Sequence, residues 1–349
     1  MTLLLLTLLT STAAACSWTR STPPPARWMS AASTTCGDTV AFSGGESLSI
    51  STGATLGDRN KVTTFNPTTH TWHTWAPNMT GRVAPAAASL NSRLYVFGGT
   101  KKIPNASHSA HPVKILDLVE SISFSPHGMP IETSWKQEKP LPFGPRESPS
   151  AASLPNSAGI VIGAGFFSKT VNGVLTFKYF NDSWFFDGSD YTRLPDMPFS
   201  RSNMPMVAAN KGIYAFGGGF TEPSYSTCAY LQVESATSHA SDWIKCPPLV
   251  TPTSWMSAGV LKDKHGEDVV IAAGGMDGMF SPTSVVEALS GGSSSSALSV
   301  GGDGNWSNLN CDLPFAAGFL SGAVVNNSFV VVAGAAPYPA AHHALIFNM

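Results

Sequence analysis

Four arginines stand at similar places along the chain, each in a short segment leading into a run of small residues: Arg27, Arg82, Arg146 and Arg201. A guanidinium binds a carboxylate or sulfate through paired, parallel hydrogen bonds, so four of them around one funnel would make a site for an acidic ligand. Aligning Arg27-Trp-Met-Ser-Ala with Ser254-Trp-Met-Ser-Ala puts Ser254 at the corresponding place in a fifth segment, and Gly318 takes it in a sixth. Such arginines could instead bond to backbone carbonyls of a neighbouring unit, which would make these residues scaffold. Glu147 adjoins one arginine and could offset part of the charge. Glu46, Lys101, Lys102, His108, His111, Glu222 and Asp277 fall in nearby loops. His108-Ser-Ala-His111 has the spacing of a metal pair but lacks a third ligand close by, so a solvated loop is the plainer expectation and no metal or other cofactor is assigned. Trp28 and Trp255 could offer an aromatic platform to a sugar ring or could pack between units.

These residues are carried by a repeated phrase. Val40-Ala-Phe-Ser-Gly-Gly45, Leu94-Tyr-Val-Phe-Gly-Gly99, Ile160 to Gly165, Ile213-Tyr-Ala-Phe-Gly-Gly218, Val269 to Gly275 and Phe329 to Gly334 are β-rich runs ended by a glycine pair or its remnant. They recur about every 50 to 65 residues, a period of repeat architectures. Each is preceded by a run of small residues, such as Pro85-Ala-Ala-Ala88 or Ser150-Ala-Ala152, suited to strands crowded around an axis. In the second unit, Ala86 to Leu90, Leu94 to Phe97, Val113 to Leu118 and a strand near Trp135 read as four successive strands. Trp75, Trp135, Trp243 and Trp306, with Tyr191 in the third unit, supply one large aromatic to each outermost strand. Four antiparallel strands per unit make a propeller blade.

A glycine doublet after a β run, an aromatic downstream and a Pro/Arg link together resemble the kelch repeat, from about Trp18 to the C-terminus. The resemblance implies an all-β, six-bladed kelch-type β-propeller over residues 16–349. The chain stops after a third strand at Leu345 to Met349, while Trp18 to Arg27 carries an outer-strand Trp and a Pro/Arg link. The N-terminal strand is therefore expected to complete the last blade and close the ring. Propellers of this family generally bind ligands over the central channel. Some are enzymes, including seven-bladed copper radical oxidases with a Tyr–Cys cross-link and a sialic-acid mutarotase.

Residues 1–15 read as a signal peptide: Leu3 to Leu9 is apolar but too short to span a bilayer, and Ala13-x-Ala15 fits the small-residue cleavage rule. A lipoprotein Cys at Cys16 is the alternative. Charged residues make up 12% of the chain and the net charge is −2, which excludes the basic excess of a nucleic-acid binder. No later run of 18 apolar residues suggests a membrane span. Asn78, Asn105, Asn181, Asn305 and Asn326 head glycosylation sequons. In an exported chain the five cysteines favour disulfides: Cys228 with Cys246, Cys16 with Cys36, and Cys311 left over. Gly291 to Gly302 is a Gly/Ser-rich insertion.

Hydrolase, zincin and phosphate-loop motifs are missing. The expectation is therefore a secreted, non-enzymatic binding or assembly module. Its partner would be an extracellular protein or an acidic glycan, held by Arg27, Arg82, Arg146, Arg201 and Ser254, with homo- or hetero-assembly left open. The alternative is a sugar-modifying enzyme, such as a sialic-acid mutarotase-like epimerase, working in the same funnel.

Overall fold

The computed structural model describes residues 16–49, 55–103, 113–209, 211–219, 225–233, 242–290, 304–332, 334 and 343–349. These residues are all-β, with one short 3₁₀ turn at Pro155–Ser157 and no helix long and apolar enough to cross a membrane. Residues 1–15, read above as a signal peptide, and the Gly/Ser-rich insertion lie outside the described residues.

Among the described residues there are six four-stranded antiparallel sheets. Their first strands are Ala32–Cys36, Ala86–Leu90, Ser150–Ser153, Met206–Ala209, Ser257–Lys262 and Ser321–Val325. Each lies against the first strand of the next sheet, and Ser321–Val325 lies against Ala32–Cys36. Close spacing there explains the Ala, Ser and Gly content. At Gly259 an added Cβ would stand 2.5 Å from the Val324 side chain.

The second strands are buried on both faces. Arg93–Phe97 shows this: after a half-buried Arg93, Leu94 to Phe97 are all buried, so the run is continuously apolar rather than alternating. Burying a large side chain such as Phe97 or Phe329 stabilises the fold by about 1.5–3 kcal/mol. Six hydrophobic clusters result, each formed by the facing sides of two neighbouring sheets. The outermost strands are exposed, as in Thr71–Thr74. Their aromatics tie sheet to sheet: Trp135 Nε1 donates to Pro77 O (3.3 Å), Trp243 Nε1 to Pro195 O (3.0 Å), and Tyr191 OH to Lys139 O (3.3 Å).

In the second sheet the third strand is Val119–Ser123, not the expected Val113 to Leu118. Val113–Ile115 instead pairs with Thr100–Lys102 as a separate ribbon above the sheet. Both segments have β-forming composition, and only pairing with Arg93–Phe97 distinguishes them. In the sixth sheet the outermost strand is N-terminal: Ser17–Arg20 pairs antiparallel with Ala344–Asn348, with Trp18 opposite Phe347.

Cys228 and Cys246 face each other across adjacent strands and form a disulfide. Cys16 is joined to Cys311, not to Cys36, with Cα atoms 6.2 Å apart. Cys16 precedes the added outer strand, whose Trp18 Nε1 donates to Cys311 O at 2.9 Å, so strand pairing brings these two cysteines together. Cys36 ends an innermost strand, is fully buried and is free; burial pushes its thiol pKa up.

Candidate functional site

The segments leading into the first strands share one backbone signature. Ser30, Ala84, Ser148, Asn203, Trp255 and Phe319 all have positive φ, between 48° and 54°. This left-handed turn is unusual for side chains other than glycine or asparagine, and six equivalent occurrences mark an imposed geometry. Neighbouring turns are hydrogen-bonded: Ala84 N–H donates to Ser30 O, Ser148 N–H to Ala84 O and Trp255 N–H to Asn203 O, each at 3.0 Å. The following glycine of the doublet is required here. A Cβ on Gly99 would stand 2.7 Å from Val83 O, and Gly99 N–H donates to Arg146 O at 2.8 Å.

All six turn residues line a cavity of about 440 Å³ walled by the six first strands. The size lies within the range of small-molecule sites, about 300–1,000 Å³. Its walls are small: Ala32, Ala86, Ala152 and Ala258, with the serines at 33, 89, 150, 153 and 257. Several hydroxyls stitch the first strands together. Ser33 Oγ donates to Gly322 O (2.8 Å), Ser150 Oγ to Met204 O (2.7 Å), and Ser321 Oγ to Ala31 O (2.8 Å). On one side of the mouth Trp255 and Phe319 stand 4.8 Å apart, with Phe280, half exposed, 5.9 Å from Trp255. Ala84 and Ser148 occupy turns elsewhere on the rim, and Asn203 donates its amide to Gly219 O at 3.0 Å.

The four expected arginines do not line this cavity. All are buried. Arg82 donates to Gly98 O, Leu118 O and Thr80 O and pairs with Glu120. Arg146 donates to Phe143 O and to Asp182, and its guanidinium carbon lies 3.3 Å from the centroid of the Phe180 ring. Arg201 donates to Thr227 Oγ1 and covers Tyr225. Burial lowers the Arg82 pKa to about 10 and also lowers that of Arg146, against the pull of Asp182. Arg27 lies in the strand Arg27–Met29, paired with Glu46–Leu48.

The turn signature also corrects the alignment. Arg82, Arg146 and Arg201 stand two residues before it, where the first segment has Trp28 and the fifth Thr253. Arg27 is three residues before it and Ser254 one. The shared Trp-Met-Ser-Ala identity therefore aligned residues that the backbone places apart. Ser254 is buried, its backbone exchanging hydrogen bonds with Met276. Trp28 is buried beneath the guanidinium of Arg59, 4.4 Å from its centroid, and is no sugar platform. Arg59 carries no repeat signature and was not singled out by sequence reasoning. It donates to Phe42 O and Gly44 O and bonds Thr63 Oγ1, and burial lowers its pKa to about 9. Phe319 was missed too, although counting back from the small-residue run pairs it with Trp255.

Other loop residues are engaged locally. Lys102 Nζ donates to Glu46 at 2.6 Å, and Asp277 accepts Met279 N–H and Ser281 N–H. His108, His111, Asn105 and Glu222 lie outside the described residues. Among the described residues no three His, Cys, Asp or Glu side chains gather as a metal site. Asn78, Asn305 and Asn326 are exposed, whereas Asn181 is half-buried with Nδ2 donating to Met197 O at 3.0 Å.

Glu147 differs from the arginines. It directly precedes Ser148 on the cavity rim, and its Oε2 is buried with no hydrogen-bond partner. Burial raises its pKa to about 7. A carboxyl that titrates near neutrality can both donate and accept a proton at physiological pH.

No family model matches the chain, and no curated protein does. Among solved structures, "Structure of YjhT" matches with a TM-score of 0.66 and 14% identity, over 93% of this chain and 94% of that one. The fold is a kelch-like β-propeller. The expectation of a non-enzymatic binding or assembly module is overturned by this likeness. Arg82, Arg146 and Arg201 are engaged inside the fold rather than lining the cavity.

Proposed function

We propose that the protein is a sugar-modifying enzyme of the mutarotase-like kind, with its site in the central cavity. The carrying observation is the mouth of that cavity. It joins an aromatic pair, Trp255 and Phe319, to a polar rim of serines and Asn203. An aromatic face packs against the C–H face of a sugar ring while hydroxyls and amides meet its edge.

The reaction needs no cofactor and conserves atoms. A base takes the proton of the anomeric hydroxyl, an acid gives a proton to the ring oxygen, and the bond between the anomeric carbon and that oxygen breaks. The open-chain carbonyl rotates and closes on its other face, with the protons returned.

The six sheets are read as six blades of one domain spanning 16–349, with Ser17–Arg20 completing the last blade. Contact between the first strands of the sixth and first sheets supports this closure. Two disulfides accord with an oxidising compartment and support export, with Asn78, Asn305 and Asn326 positioned to carry glycans.

Exchange NMR of anomeric protons, with purified protein at catalytic concentration, tests the reading. Anomer exchange should exceed the buffer rate for at least one sugar, and Trp255→Ala should remove most of the excess. Buffer-rate exchange across a panel of neutral and acidic sugars would overturn it.

A further inference from the structure

Resting on that reading, we propose that the cavity takes an uncharged sugar and discriminates against acidic ones. Every residue lining the cavity is uncharged. The polar side-chain groups there are serine and threonine hydroxyls, one amide and the Trp255 indole N–H. Among the described residues, Ser30, Ser89 and Ser148 make no side-chain hydrogen bond through their hydroxyls, which leaves those hydroxyls for a ligand. These groups satisfy sugar hydroxyls well, since each can donate and accept.

A carboxylate would fare differently. Moved into a cavity walled by alanine, valine and methionine, it needs a compensating cation, because an unpaired charge is expensive to bury. The cations of the neighbouring links are already committed. Arg82 is bound to Glu120 and three carbonyls, Arg146 to Asp182 and Phe143 O, and Arg201 to Thr227. Arg82 and Arg146 cannot turn toward the axis without leaving carbonyls and a carboxylate unpaired.

The test compares anomer exchange of glucose, galactose and N-acetylglucosamine with that of glucuronate, galacturonate and sialic acid, at equal concentration near pH 7. A neutral sugar should exceed its matching uronate by at least about tenfold in kcat/KM, the size of a modest unpaired-group penalty. Equal or preferred turnover of an acidic sugar would overturn the inference while leaving the enzyme reading standing. Buffer-rate exchange of every sugar would overturn the enzyme reading, and this inference with it.

Discussion

Arg82 and Glu120 form a buried ion pair across the seam between the first and second sheets. The arginine has no exposed side-chain surface, and the glutamate also accepts the Thr80 N–H and hydroxyl. Removing one partner leaves a buried charge uncompensated, which typically costs about 3–5 kcal/mol. Arg82→Met should therefore lower unfolding free energy by that amount in urea titrations and leave sugar exchange per folded molecule unchanged. A loss below about 1 kcal/mol, or a selective loss of sugar turnover, would refute the scaffold role.

Glu147 should make stability pH-dependent in an unusual direction. Its pKa rises from 4.5 to about 7 on folding, so the folded state holds the proton more tightly. The contribution is most favourable at low pH and is lost as pH rises from about 4.5 through 7. Glu147→Gln should remove this dependence and leave the protein more stable than wild type at pH 8, by no more than about 3 kcal/mol. Denaturant titrations at pH 5 and pH 8 on both proteins would show it; equal pH slopes would contradict the assignment.

The two disulfides should differ in weight. Cys16–Cys311 spans 295 residues and Cys228–Cys246 only 18. Loop-closure entropy gives about 6 kcal/mol for the former and about 3 for the latter. Thermal melts of Cys16→Ser/Cys311→Ser and Cys228→Ser/Cys246→Ser should show the larger loss in the first. The reverse order would count against the entropic account.

Cys36 should be inert while the protein is folded. Its side chain is fully buried and its thiol pKa is raised, so little thiolate forms and reagents cannot reach it. Thiol titration without reductant should find none in buffer and one in guanidinium. A reactive thiol in the native protein would place Cys36 elsewhere.

Trp255→Ala should reduce sugar exchange by at least about tenfold with a stability change under about 2 kcal/mol, because the ring is only partly buried at the mouth. A change in stability with no change in exchange would assign Trp255 to packing.

The sequence by itself determined the β-rich repeat, the small residues of the inner strands and the need for glycine after each second strand. These are properties of single backbone units. Pro85 to Ala88 had to sit where room was short, and Gly98-Gly99 had to hold φ values of 59° and 92°. Tertiary structure decided what the arginines do. Arg146 and Asp182 stand 36 residues apart, and nothing local shows that Asp182 would engage the guanidinium before a ligand could. It decided the cysteine partners for the same reason, since Cys16 meets Cys311 only once Ser17–Arg20 has joined the C-terminal strand. And it decided the cavity mouth. The six left-handed turns align Ser30 with Trp255 and Phe319, a register set by hydrogen bonds between neighbouring sheets that residue identity alone misaligned.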